Sequence, residues 1–98
     1  MKYMTYAVYD SKAQRYIFPQ NYVRREEAVR AFSMACNQPD TDFFRYAEDY
    51  SLFEIGQYDE DIGLHYPHTA PIMIITAVLA SEKHKEYYST SLSKVVNQ

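Results

Sequence analysis

The chain has 98 residues, a net charge of −3, one cysteine, two glycines, no tryptophan, and eleven tyrosines beside five phenylalanines. That length fits one compact domain and excludes two, and so small a core makes pairing with a second copy an expected way to hide apolar surface. A lone Cys36 excludes an internal disulfide, no run approaches the ~20 apolar residues that span a bilayer, and MKYMTYAVYD lacks the apolar core and cleavage site of a signal peptide; a cytosolic protein away from the membrane is expected.

Residues 3–9, YMTYAVY, alternate Met4, Tyr6 and Val8 with Tyr3, Thr5, Ala7 and Tyr9, the period of a strand. DSKAQ supplies a turn in which Asp10 and Ser11 can bond nearby amides. RYIF, residues 15–18, reads as a second strand closed by Pro19, so the chain opens with a β-hairpin, and residues 19–23 are a connection. Residues 24–37 carry a helix, with Val29, Phe32 and Cys36 at helical spacing, Ala28, Ala31 and Ala35 as small neighbours, and Glu26 and Glu27 in the first turn where they suit the helix dipole. Asn37 and Pro39 end it. Cys36 on its apolar side reads as a small core residue rather than a nucleophile.

Residues 39–49 form a loop or one helical turn, with Phe43, Phe44 and Tyr46 available to plug the core edge. Residues 50–58 are a strand with Phe53 and Ile55 facing one way and Leu52 the other. DEDIG follows as a loop, then HYPH, with His65 and His68 expected on a surface loop. From Pro71, IMIITAVLASEKHKEYY fits either a helix begun near Thr69, on Ile72, Ile75 and Leu79, or a buried β-branched strand, and its first part is read as strand. Residues 89–98 read as a polar, frayed tail.

Three adjacent carboxylates, Asp59, Glu60 and Asp61, invite a metal or acid–base reading. A calcium loop spreads its ligands over twelve positions and ends on a bidentate Glu; here the twelfth position from Asp59 is Ala70. His65 and His68 carry no HExxH pattern and no Cys–His set. No nucleophile motif or phosphate-cradling glycine loop occurs, and Gly56 and Gly63 are the only glycines. The acidic turn therefore reads as a solvated hairpin loop, no cofactor or metal is expected, and the chain is not expected to be an enzyme. It can also serve as negative surface, repelling nucleic acid or meeting a basic partner. Charge along the sequence is segregated. Lys2, Lys12, Arg15, Arg24, Arg25 and Arg30 dominate the first thirty residues, whereas Asp40, Asp42, Glu48, Asp49, Glu54 and the acidic turn dominate the middle against Arg45 alone. So polarised a chain can steer a polyanion to one side, or pair basic part to acidic part with its own copy.

The ordered set Tyr9-Asp10-Ser11-Lys12-Ala13, Ala28-Val29-Arg30-Ala31-Phe32, Asn37-Gln38-Pro39 and Glu48-Asp49-Tyr50-Ser51-Leu52-Phe53-Glu54-Ile55-Gly56 resembles the small nonstructural DNA-binding protein of gokushoviruses, single-stranded DNA phages of the Microviridae. The resemblance covers about residues 6–63; Ala47 stands where a proline is usual, and Val23-Arg24-Arg25 where a Ser or Thr cap is common. It implies a phage protein of the host bacterial cytoplasm that binds DNA and assists the switch from duplex replication to single-strand genome production and packaging. It brings no catalytic residues.

The expected fold is α+β: a small antiparallel sheet of three to four strands with one main helix packed on one face, residues 1–88 forming the domain and 89–98 a flexible tail. The expected ligand is single-stranded DNA. Lys2, Lys12, Arg15, Arg24, Arg25 and Arg30 would meet phosphates, and Tyr3, Tyr9 and Tyr16 would stack bases, since aromatic rings stack on any base. A homodimer or higher homo-oligomer is expected, with phage replication or capsid proteins as further partners. The alternative is a non-enzymatic dimerisation or protein-interaction module that touches no DNA, its tyrosines buried between subunits. Cations interleaved with exposed rings on one face favour DNA; separation favours a protein partner.

Overall fold

A computed structural model describes residues 1–81. Four strands, β1 (Lys2–Asp10), β2 (Arg15–Tyr22), β3 (Tyr50–Asp59) and β4 (Leu64–Thr76), form one antiparallel sheet in the order β2-β1-β3-β4. The helices are α1 (Arg25–Cys36) and the single turns α2 (Asp42–Arg45) and α3 (Ala77–Ala80), with a 3-10 turn at Ala47–Asp49. The four-stranded antiparallel sheet with helices agrees with the expected α+β class, though the sheet dominates more than the sequence suggested. The boundary expected at residue 88 lies outside the described residues.

The hairpin that opens the chain is built as its turn chemistry dictates. Asp10 Oδ1 accepts the amides of Lys12 at 3.0 Å and Ala13 at 3.1 Å, and Gln14 takes φ +57° to reverse the chain. β2 does not stop at Pro19 as expected; it continues to Tyr22. Between the pairs Tyr6↔Gln20 and Val8↔Ile17, Ala7 of β1 faces both Phe18 and Pro19, a bulge that absorbs the proline at the sheet edge. The 19–23 connection is therefore mostly strand.

The even positions of β1 face the core. Tyr6, Val8 and Leu52 join Ala28, Phe32 and Cys36 of α1 and Ala47, Ala77 and Ala80 in one buried cluster. Glu27 Oε1 accepts the Arg24 amide at 3.2 Å, closing the start of α1 without a Ser or Thr cap. Burial pushes the Cys36 thiol up to about 12, as befits a core residue with no thiolate chemistry. Phe43 fills the core edge as expected, whereas Tyr46 turns to solvent.

The second hairpin departs furthest from the sequence reading. Ile55 is a bulge between Thr5↔Gly56 and Tyr6↔Glu54, so Phe53 and Ile55 do not share a simple alternation. β4 begins at Leu64 and includes the HYPH stretch, which is strand and not surface loop. Opposite Ile55 it spends four residues, His68 to Pro71, before pairing resumes at Ile72. The strand reading of its first part holds, and among the described residues the helical part is Ala77–Ala80; the remainder of the segment lies outside them. The acidic turn is a hairpin turn in which Glu60 and Asp61 are exposed and Asp59 is half-buried: Asp59 accepts the amides of Asp61 and Gly63, and the terminal ammonium of Met1 sits 2.9 Å from Asp61.

Candidate nucleic-acid interface

Strand alternation sends Tyr3, Thr5, Ala7 and Tyr9 to the face opposite the core. Register does the rest. Tyr9 pairs with Tyr16 across to β2, and Phe53 pairs with Ala7 on one side and Met73 on the other. The three rings meet: Tyr9 to Tyr16 at 4.7 Å, Tyr9 to Phe53 at 5.9 Å and Tyr16 to Phe53 at 5.4 Å between centroids. Tyr16 is 44% exposed and Met73 is exposed, while Tyr9 and Phe53 are half-buried. Tyr16 is thus no core residue. Arg15, next in sequence to Tyr16, and Lys12, in the adjoining turn, are exposed at this end of the sheet. A ring platform with two cations at the same end of the sheet can stack bases and neutralise phosphates.

The other expected contacts scatter. Lys2 pairs with Asp59 and Tyr3 with Tyr58 at the far end of β1, where Tyr58 and His65 form a second ring pair at 5.0 Å. That end belongs to the acidic turn: a bond to Glu60, together with its charge, raises the Tyr3 hydroxyl's pKa. Arg24 and Arg30 line a hollow beside α1 with Tyr22 and Met34. Arg25 is committed elsewhere, its Nη2 3.3 Å from Glu54 Oε1 rather than beside Glu26 or Glu27.

Glu54 is the one buried carboxylate of β3, on the core face opposite Tyr6. Its other oxygen lies 2.8 Å from His68 Nε2, which the β4 excursion brings back over the strand. Burial pushes its carboxyl pKa up, but the bonds from His68 and Arg25 outweigh that and hold it below the ordinary value. The buried Tyr6 hydroxyl lies beside this pair, and burial followed by the Glu54 charge raises its pKa. This set ties α1, β3 and β4 together and is structural. Sequence reading missed Glu54 because its neighbours looked like one acidic run, and missed Phe53 as a site ring because its cross-strand partners are set by register.

Among the described residues no group of three or more His, Cys, Asp or Glu is placed to hold a metal ion, and no helix is long and apolar enough to cross a membrane. The profile of the family described as Phage ORF5 protein matches residues 3–80. Over 76 residues the chain is 36% identical to "Protein ORF5" of Chlamydia phage 1, covering 71% of this chain and 77% of that protein. No solved structure matches.

Proposed function

The chain belongs to the Phage ORF5 protein family and is of the gokushovirus type, and from that premise we propose that it is a single-stranded-DNA-binding protein that assists the switch from duplex replication to single-strand genome production and packaging. The observation that carries this reading is the ring cluster of exposed Tyr16 with half-buried Tyr9 and Phe53, with Lys12 and Arg15 at the same end of the sheet. Rings on an open sheet face reach the faces of unpaired bases, which a duplex hides within its stack. The protein works without catalysis or cofactor, in the host cytoplasm, as a homo-oligomer in contact with other phage proteins.

Fluorescence anisotropy of labelled single-stranded and duplex oligonucleotides across a salt series tests it. Tighter binding of the single strand, weakened by salt yet partly surviving it, is expected, because stacking is insensitive to counterion release. No binding to either at low salt overturns the reading. The separation of Arg24, Arg25 and Arg30 from the ring cluster, with exposed Ile62, Leu64, Ile72 and Met73 along the second hairpin, favours a second reading: a protein-interaction module that touches no DNA. It predicts a concentration-dependent mass in sedimentation with no response to oligonucleotide.

A further inference from the structure

An open cleft of about 200 Å³ lies between the edge strand β2 and α1, walled by Phe18, Gln20 and Tyr22 on one side, Ala31 and Ala35 on the other, and Phe43 at its end. The alanines keep it open where larger helix residues would close it. The Phe18 and Phe43 rings meet edge-on at 6.2 Å. Tyr22 donates its hydroxyl to Gln20 Oε1 at 2.8 Å, which leaves the Gln20 amide N–H₂ group as a donor. The volume falls below the ~300–1,000 Å³ of pockets that hold drug-sized molecules, so the cleft takes one flat ring system and not several. A neighbouring hollow shares Tyr22 and Ala31 with it and adds Arg24 and Arg30, neither of which forms an ion pair among the described residues. Of the two carboxylates there, Glu27 is occupied with the start of α1, which leaves Glu26 against two guanidinium groups.

Phe18 connects this cleft to the opposite face. It holds φ +54°, a left-handed backbone that bulky residues rarely adopt, and its ring is 64% exposed at the sheet edge. Tyr16, a member of the stacking cluster, stands two residues earlier on the same strand, about 7 Å away along an extended backbone. The edge of β2 thus carries one ring, Tyr16, on the outer-face cluster and another, Phe18, at the cleft.

We propose that the single strand bound on Tyr9, Tyr16 and Phe53 passes round the β2 edge and seats one unstacked base in the cleft. Phe18 stacks on that base, Gln20 bonds its edge, and Arg24 and Arg30 meet the flanking phosphates. This rests on the single-strand reading above and adds a second subsite to it. The test is an amide NMR titration of the full chain with oligothymidylate, run beside anisotropy on two variants. Ala31→Leu fills the cleft from an exposed helical position, and Phe18→Gly removes the edge ring at a backbone that suits glycine. The signals of Gln20 and Ala31 should move together with those of Tyr9 and Tyr16, and each variant should bind at least about fivefold more weakly, the lower end of one stacked base. Shifts confined to Tyr9 and Tyr16, with both variants binding like the parent, overturn the cleft and leave the single-strand reading standing. Cleft signals that follow protein concentration and ignore the oligonucleotide assign it to a second copy instead and overturn the base. No shift and no anisotropy change overturn both readings.

Discussion

Phe18 sits in a backbone region that costs an L residue roughly 1–2 kcal/mol relative to glycine, and its exposed ring recovers little of that by packing. Phe18→Gly should therefore leave stability to urea within about 0.5 kcal/mol of the parent or raise it, the relief of backbone strain offsetting the freer unfolded chain; a loss of about 2 kcal/mol would show that the Phe43 contact supports the fold. Glu54 makes the opposite case, a buried group whose partners justify it. Its folded-state pKa lies below the ordinary value of 4.5, so the stabilisation it contributes is present above that value and is lost as pH falls through the lower, folded one. Glu54→Gln keeps the shape and removes the charge, and should cost about 1–3 kcal/mol at pH 7. Urea titrations from pH 7 to pH 3 should show the gap between parent and variant closing on the acid side. A constant gap would mean that shape, not charge, holds the site.

At the scale of elements, the sheet is regular in the middle and irregular at its margins. Pro19 lies in β2 and Pro67 and Pro71 lie in β4, the two edge strands, and each edge is also bulged. Prolines and bulges at an edge discourage pairing with a further strand, so self-association through simple sheet extension is disfavoured and a face is the better candidate. At Gly56 the β4 backbone packs close: a Cβ there would lie 2.8 Å from the Tyr66 carbonyl oxygen and 3.1 Å from Pro67 Cα, both backbone atoms that cannot swing aside. Gly56→Ala should cost about 1–3 kcal/mol through overpacking, seen as a lower urea midpoint; an unchanged midpoint would mean that β4 slides to accommodate it. The period-two pattern of residues 3–9 and the helical spacing of Ala28, Phe32 and Cys36 were legible because each element follows its own short period. Pro19 hid the second half of β2, since proline is a stop signal everywhere except an edge strand or a bulge. The alternation of β3 failed at Ile55 because a bulge is dictated by the partner strand, which local sequence does not contain. For the same reason Tyr9 and Tyr16 could be named from sequence and Phe53, which completes their cluster, could not.

At the scale of the whole molecule, the charge segregation of the sequence is largely undone by folding. Antiparallel pairing of β1 with β3 lays the basic opening segment against the acidic middle: Lys2 pairs in register with Asp59, the Met1 ammonium with Asp61, and α1 reaches Glu54 through Arg25. The basic and acidic parts meet within one chain, which removes the charge argument for pairing them between copies. What remains outside ion pairs among the described residues is Lys2 beside the acidic turn, Lys12 and Arg15 at the opposite end of the sheet, and Arg24 and Arg30 beside the cleft. This divides the cations into two classes with different signatures. Each phosphate contact on a single strand contributes about 0.7 to the slope of log affinity against log salt, so the double variant Lys12→Ala, Arg15→Ala should reduce that slope by about 1.4. Lys2→Ala and Arg25→Ala should leave it unchanged, because Arg25 is paired with Glu54 and Lys2 stands across the strands from Asp59, at the acidic turn that repels phosphates. Arg25→Ala should instead lower stability, since it strips Glu54 of one partner. Anisotropy titrations of the four proteins between low and moderate salt separate the classes. A slope loss of about 0.7 for Lys2→Ala, half that expected of the double variant, would place the strand along the whole of β1, acidic end included, and would displace the ring cluster as the centre of the interface.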